Sequence, residues 1–411
     1  MKLRLGELPL LSVIEIVKSM RLKDQIKLAL SSKKYEAVCK IARVKVKWFC
    51  FHVQDEYTGL DIGKNTKLCC GEKEKMNETD KISYRKLSKW LVAGSSATPL
   101  QRLVCLFKEI NKIFRSDVHY LFIYMNEMKN ASVKDVMDVP MFKNCEKIAL
   151  VKGEIESDDL RLVLDMAKNL KYFRILGTKV SSDFQHEKAF SIERIIYEDA
   201  NWVKLENLLT MRNSTYVTLG KNSLTYFDFN KFLKFWVNSE IDMFIDLFIK
   251  MEENLNPEVL FDGLIYLNLL RLRHNAYLIV ANSTLEKRKR TCLYVDYFEE
   301  QIRLFALSQT RVWFRLNKDR SSSTEKKTFQ SEFDALRTLE KQSELRKKIE
   351  DMEVPDEDDV HRMEELDVQL NGLLAEGKFT VGDLGGPVIV VVTSSEEGLL
   401  EFGPDEYLKM V

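Results

Sequence analysis

The sequence predicts an α/β protein in three parts: a short helical bundle at the N-terminus, a curved solenoid of strand-plus-helix units, and a C-terminal helical hairpin. Three observations carry that reading. Apolar residues between positions 8 and 43 recur at three- and four-residue intervals, the period of an amphipathic helix. From about residue 99, short apolar runs alternate with amphipathic segments, and runs starting at 118, 147, 172, 192, 215 and 243 lie 29, 25, 20, 23 and 28 residues apart. Such spacing is the mark of stacked supersecondary units. A polar break, DRSSSTEKK at 319–327, then precedes a tail of different texture.

Taken in order, Pro9 suits a first helical turn, and Leu10, Val13, Ile16, Val17 and Met20 form a stripe behind it. A second short helix carries Ile26, Leu28 and Leu30, and a third starts at Ser32 and carries Tyr35, Val38 and Ile41. Helices this short need a neighbour to be stable. Alternation through Val44, Val46, Trp48 and Cys50 predicts a strand, and the polar stretch 54–83 an extended loop or ragged hairpin. Strands follow at Val118–Tyr124, Lys147–Val151, Tyr172–Leu176, Ile192–Tyr197, Thr215–Leu219, Met243–Ile249, Ala276–Val280 and Cys292–Phe298, with an edge segment at Arg311–Leu316. Helices between them are legible in PLQRLVCLFKEINKIF, DDLRLVLDMAKNL, VKLENLLTM and FDFNKFLKFWVNS; in the second, Leu160, Val163, Leu164 and Leu170 make the apolar stripe while Asp158 and Asp159 favour the positive helix start. The asparagine ladder of regular leucine-rich repeats is missing, so the solenoid is a degenerate, leucine-rich-repeat-like one. In the tail, Phe333 to Met352 and Met363 to Leu373 predict two antiparallel helices joined at Val354-Pro355-Asp356, and PVIVVVT with GLLEF a small hairpin. The resulting division is 1–50, 51–98, 99–318 and 319–411.

Composition narrows the class. With 411 residues, 45% hydrophobic and 10% aromatic, the chain can build real cores. Its 63 basic and 63 acidic side chains cancel, so no whole-molecule field draws it to nucleic acid or an anionic membrane. The charges are polarised, however: residues 1–50 hold 12 Lys/Arg against 4 Asp/Glu, and residues 351–411 hold 3 against 16, which suggests different partners or contact between the ends. Glu7, Glu15 and Lys18 interrupt the apolar N-terminal stretch, so neither secretion nor a transmembrane helix is expected. Seven irregularly spaced cysteines fit reduced thiols in the cytoplasm and/or nucleus.

The most informative segment is LPLLSVIEIVKSMRLKDQIKLALSSKK, residues 8–34. Leu8-Pro9, the apolar positions Val13, Ile16 and Met20, Lys23-Asp24, Leu28 and Leu30, and the closing Ser31-Ser32-Lys33-Lys34 resemble an F-box without a gap, although Tyr35 stands where many have tryptophan and Arg21-Leu22 replaces the common Asp-Pro. Downstream, YVTLGKNSLTYFDFNKFLKFWVNS at 216–239, with Asn230, Leu233 and Trp236, is similar to the large nematode family that joins an F-box to a type 2 F-box-associated domain. The resemblance implies a non-catalytic, substrate-recruiting adaptor of a Skp-cullin-F-box ubiquitin ligase in the ubiquitin-like conjugation pathway. A Skp-type adaptor, and through it a cullin, would dock on Leu8, Pro9, Val13, Ile16, Met20, Ile26 and Leu30, some of which must instead be core. The associated domain would bind an unknown target protein. Lys33, Lys34 and Lys40 could steer docking on an acidic adaptor. Trp236 reads best as core and Asn230 as a group that caps or satisfies backbone. The alternative is a ligase-independent protein–protein interaction module.

Other signals point away from chemistry. GLDIGKNT at 59–66 departs from phosphate-loop spacing. Cys69-Cys70 are adjacent without Cys-x-x-Cys partners, so no metal or cofactor is expected. The five histidines share no motif with a cysteine or carboxylate, leaving no candidate catalytic residue. The run Glu286 to Arg290 could be a nuclear import signal or a nucleic-acid contact, but a solvated turn is the commoner form of such a run.

Overall fold

The computed structural model describes residues 7–54, 58–64, 66–70, 81–82, 84–91, 97–128, 131–251, 256–271, 274–282, 288–298, 300–307, 330–352, 354, 356–377, 379–382 and 389–393. Two compact units divide at 202/203. Three helices open the first: α1 (Leu10–Ser19), α2 (Leu22–Ser31) and α3 (Lys33–Ala42). The α1 stripe turned inward is Val13, Ile14 and Val17. In α2 it is Gln25, Ile26 and Ala29, with the Gln25 amide donating to the Met20 carbonyl at 2.8 Å. Ser32 caps α3 by accepting from the Tyr35 amide at 3.2 Å, as its side chain suits. Both α1 and α2 pack on α3.

The chain continues through β1 (Val44–Lys45), β2 (Phe49–Val53), β3 (Gly59–Ile62), β4 (Thr66–Cys69), β5 (Lys81–Ile82) and α4 (Tyr84–Leu87) to α5 (Pro99–Ile113). Thr98 and Gln101 form a reciprocal capping box before α5, with Pro99 at the first helical position. Next come β6 (Phe114–Arg115), β7 (His119–Tyr124), α6 (Val133–Met137), β8 (Lys147–Ile155), α7 (Ser157–Met166), β9 (Tyr172–Val180) and β10 (Arg194–Asp199). Short β1 pairs with β6. The main strands lie in the order β10-β9-β8-β7-β2-β3-β4-β5. From β2 to β10 they are parallel and neighbour one another in chain order; β2, β3 and β4 form an antiparallel meander, so the stretch read as a loop or ragged hairpin contains a hairpin.

Register governs what each face carries. Phe51, Leu121, Ile148, Phe173 and Ile195 stand side by side across five parallel strands, all fully buried. Phe107 of α5 packs edge-on against Phe49 and Phe51, at 5.3 and 5.0 Å between ring centres. Helix therefore covers this face of β2, as apolar alternation demands. Beyond the last rung β8 bends at Lys152-Gly153, where Gly153 has φ +85° and a Cβ would meet the Asn126 amide nitrogen at 2.7 Å. Only glycine fits there. Phe184, Phe190, Tyr197 and Trp202 close the unit in an aromatic cluster, with the Tyr197 hydroxyl donating to the Ala189 carbonyl at 2.7 Å.

The second unit contains α8 (Leu205–Leu209), β11 (Ser214–Lys221), α9 (Tyr226–Asn238), β12 (Phe244–Lys250), α10 (Pro257–Leu260), β13 (Tyr266–Arg271), β14 (His274–Val280), β15 (Cys292–Phe298) and β16 (Gln301–Leu307). It ends in α11 (Gln330–Glu350), α12 (Glu357–Gly377), β17 (Phe379–Gly382) and β18 (Ile389–Thr393). Strands β11 and β12 are parallel around α9; β12, β16, β15, β14 and β13 then run antiparallel. Two of these, β13 and β16, were not expected from sequence. The helical hairpin of the tail is present: Gln342 donates to Asp367 at 2.7 Å, and Lys348 pairs with Asp359 at 2.6 Å. Val390 and its neighbours pair with Phe379–Gly382 and with β13, which offers an edge to an apolar strand; the partner expected for that strand was GLLEF at 398–402. That segment, the linker at 319–327 and the edge segment at 311–316 lie outside the described residues.

Alternation in β13 and β14 splits this sheet as well. Tyr266 and Tyr277 meet Phe261 on one side, at 4.6 and 4.8 Å. Leu267, Ala276 and Leu278 on the other meet Leu336 and Leu339 of α11 and Leu370 of α12. Replacing fully buried Leu336 by alanine is expected to lower stability by about 2–5 kcal/mol, read as a shifted midpoint in urea. An unchanged midpoint would contradict the packing of α11 on β13 and β14.

Candidate functional site

The N-terminal helices sort the residues that the F-box resemblance singled out. Val13 and Ile26 are buried in the core among the helices, and so are corrected from docking candidates to internal packing. Leu8, Ile16, Met20 and Leu30 are half-buried, and Pro9 is exposed at the start of α1. Sequence reading passed over Leu11, which is 78% exposed beside Leu10 at 53%. Neighbouring leucines at the start of a helix, one on the stripe and one off it, cannot both face the same core. Of the three lysines expected to steer docking, Lys33 and Lys34 are exposed, whereas Lys40 is tied to Glu36 at 2.7 Å and lies 3.9 Å from Glu109 of α5. Hydrogen bonding from Lys40, with Lys89 behind it, holds the Glu36 carboxyl below its usual range.

On α9, Asn230 donates both amide hydrogens to backbone, to the Leu260 carbonyl at 3.0 Å and the Asp262 carbonyl at 2.8 Å. Leu233 and Trp236 are fully buried. The guanidinium of Arg288 lies 3.8 Å over the Trp236 ring and donates to the carbonyls of Trp236 and Ser239 at the end of α9. It therefore satisfies helix-end acceptors and complements the negative end of the dipole. Arg288 is 6% exposed, and burial pushes its pKa down to about 10. Arg290 lies 3.6 Å from Asp242. Within the basic run, Arg288 and Arg290 are thus committed inward while Lys289 is exposed, and Glu286 and Lys287 lie outside the described residues.

Residues 183–249 match the F-box associated family. No curated protein and no solved structure matches the chain. The matched segment thus runs from the aromatic cluster at Phe184 through α9 to β12, and Asn230, Leu233 and Trp236 within it are scaffold. Further rings and cations lie outside α9.

They stand on the face of the first-unit sheet opposite the apolar rungs. One register there holds Cys50, Tyr120, Lys147, Tyr172 and Arg194, and the next holds His52, Phe122, Ala149, Arg174 and Ile196. The tyrosines, Phe122, His52 and Ile196 are half-exposed, and Arg194 is exposed. Two cations are sunk among the rings: Lys147, 4% exposed, has Nζ 4.5 Å from the Tyr172 ring and 5.3 Å from Tyr120, and Arg174, 9% exposed, lies 5.0 Å from Tyr172. Neither meets a carboxylate among the described residues, and Arg174 Nε is buried without a hydrogen-bond partner there. Burial first, and the Arg174 charge second, push the Lys147 pKa down to about 8.

The same face places Cys50, His52 and Asp61 together, a trio that resembles a thiol relay in composition only. Cys50 Sγ lies 3.5 Å and Asp61 3.1 Å from the same nitrogen, His52 Nε2, while Nδ1 faces the Tyr124 hydroxyl at 3.2 Å. A relay needs the nucleophile and the orienting carboxylate on different nitrogens of the histidine. Burial also drives the Cys50 thiol far up, away from the thiolate a nucleophile requires. Among the described residues no group of three metal-ligating side chains occurs, and no helix is long and apolar enough to cross a membrane.

The depressed Lys147 pKa has a sign that can be tested. Between about 8 and 10.5 the unfolded chain binds the proton that folded Lys147 has lost, so stability from this residue rises with pH across that window and its cost is complete below about 8. Denaturant titrations of wild type and Lys147→Met at pH 7 and 10 are expected to show a stability gap favouring the methionine variant at pH 7 that narrows at pH 10. A gap independent of pH would contradict the burial of a charged Lys147.

Proposed function

We propose that the protein is a non-catalytic, substrate-recruiting adaptor of a Skp-cullin-F-box type ubiquitin ligase. One observation carries the reading: F-box-associated sequence at 183–249 shares a chain with an N-terminal three-helix bundle that leaves adjacent leucines, Leu10 and Leu11, in solvent. Apolar side chains on a short helix are suited to a partner's groove, and clustered exposed leucines signal a partner. In this reading Leu10 and Leu11, with Leu8, Pro9, Ile16, Met20 and Leu30, enter the Skp-type adaptor, Val13 and Ile26 hold the bundle together, and the exposed Lys33 and Lys34 steer the encounter. Residues 1–50 dock, 99–318 bind the target, and 319–411 form a helical interaction element. The protein acts in the cytoplasm and/or nucleus. Catalysis belongs to other subunits, and this chain contributes proximity by holding a target lysine near the charged conjugating enzyme.

A second reading, an interaction module that works without a ligase, is favoured by the placement of the ring-and-cation face on strands separate from α1 to α3. A purified Skp-type adaptor separates the two. The wild type is expected to capture it, and the double substitution Leu10→Asp/Leu11→Asp to weaken capture at least about tenfold with an unchanged thermal midpoint, since both side chains are solvent-facing. Val13→Asp, by contrast, is expected to lower the midpoint sharply. Full capture by the double variant would overturn the docking surface; no capture by the wild type would leave the module reading.

A further inference from the structure

We propose that the open sheet face of the first unit binds a carboxylate-rich segment of the target protein, with Lys147 and Arg174 receiving its acidic side chains. The inference rests on the recruiting role above and names the chemistry of what is recruited. Its basis is a local imbalance. Two cations lie within the same patch, 4% and 9% exposed, with aromatic rings for walls and no carboxylate partner among the described residues. Folding alone disfavours that arrangement, because a buried cation without an anion loses hydration and gains only ring contacts. An apolar side chain of similar length at either position would pack as well without that cost. An incoming carboxylate would supply the missing anion.

Geometry favours an extended peptide as the occupant. Lys147 is opposite Tyr172, and Arg174 is two residues further along β9. Diagonal neighbours on adjacent strands are roughly 7–8 Å apart, close to the roughly 7 Å that separates alternate side chains of an extended chain. Acidic residues at positions i and i+2 of one segment can therefore reach both cations, while Tyr120, Phe122 and Tyr172 flank its backbone. Nucleic acid fits less well: its affinity comes from many accessible phosphate contacts, whereas these cations are few and sunk.

The test is a selection of displayed random peptides on the full chain and on the double variant Lys147→Met/Arg174→Met, with a random RNA pool run in parallel. Wild type is expected to enrich peptides carrying Asp or Glu at alternate positions, and binding of those peptides to fall at least about tenfold in either single variant. Lys147→Met is also expected to raise the thermal midpoint at pH 7, which excludes misfolding as the cause of lost binding. No acidic enrichment, the same enrichment on the double variant, or RNA enriched in place of peptide would overturn the proposal. Skp-type adaptor capture by the same preparations keeps the two readings apart. Capture without acidic selection would sink this site alone; acidic selection without capture would remove the ligase role and leave the site standing.

Discussion

In-register pairing of five parallel strands is the constraint on which the first unit depends. Once Phe51 stands beside Leu121, Leu121 beside Ile148, Ile148 beside Phe173 and Phe173 beside Ile195, every odd or even position along each strand has its side of the sheet assigned. A slip of one residue in any strand would carry its apolar set into solvent and its polar set inward. The register is therefore held by burial of whole rungs rather than by any single contact. The aromatic and cationic positions of the other face inherit their alignment from it: Tyr120, Lys147, Tyr172 and Arg194 form a row only because the residues between them are locked beneath.

Much of this was legible in the sequence where a local signal and a long-range demand agree. Thr98, Pro99 and Gln101 announce the start of α5, and the apolar periodicity behind them fits the face that meets Phe49 and Phe51. The strands around 120, 148, 173, 195, 217 and 247 start within a residue or two of their expected places, although β8 and β9 each run four residues further than expected. Strand direction was less legible. The alternation that implied repeated units continues beyond β12 in apolar character, but there the strands turn antiparallel, and β13 and β16 enter the sheet. Apolar content marks a strand as buried without saying which neighbour it pairs with.

The site was less legible than the fold, for three physical reasons. In α1 apolar residues occupy more than one face, so Val13 and Ile16 look alike on a helical stripe although only Val13 is fully enclosed. On β7 the outward residues are Tyr120, Phe122 and Tyr124, so the polar half of the usual alternation is replaced by rings and the strand reads as uniformly apolar. Lys147 and Arg288 appear in sequence as ordinary surface charges. Their surroundings come from distant positions, Tyr172 for the one and Trp236 for the other, 52 residues away. Composition of a charge run carries no information about such partners. The two cations nonetheless differ in consequence. Arg288 is anchored through one Nη by two helix-end carbonyls and is part of the scaffold, whereas Lys147 and Arg174 meet rings and, among the described residues, no carboxylate.

Scaffold residues of α9 and solvent-facing groups thus separate onto different elements. Asn230, Leu233 and Trp236 secure α9, while α1 presents solvent-facing leucines and the outward rungs of β2 to β10 carry rings and cations. That separation depends on the register, which thiol labelling tests directly. Single cysteines placed at Tyr120 and Leu121, in a background whose native thiols have been counted, would be titrated with a thiol-reactive probe under native conditions. The register described above predicts rapid modification at position 120 and protection at position 121 until the chain is unfolded. Protection at 120 with rapid modification at 121 would invert the two faces and contradict the account at its base.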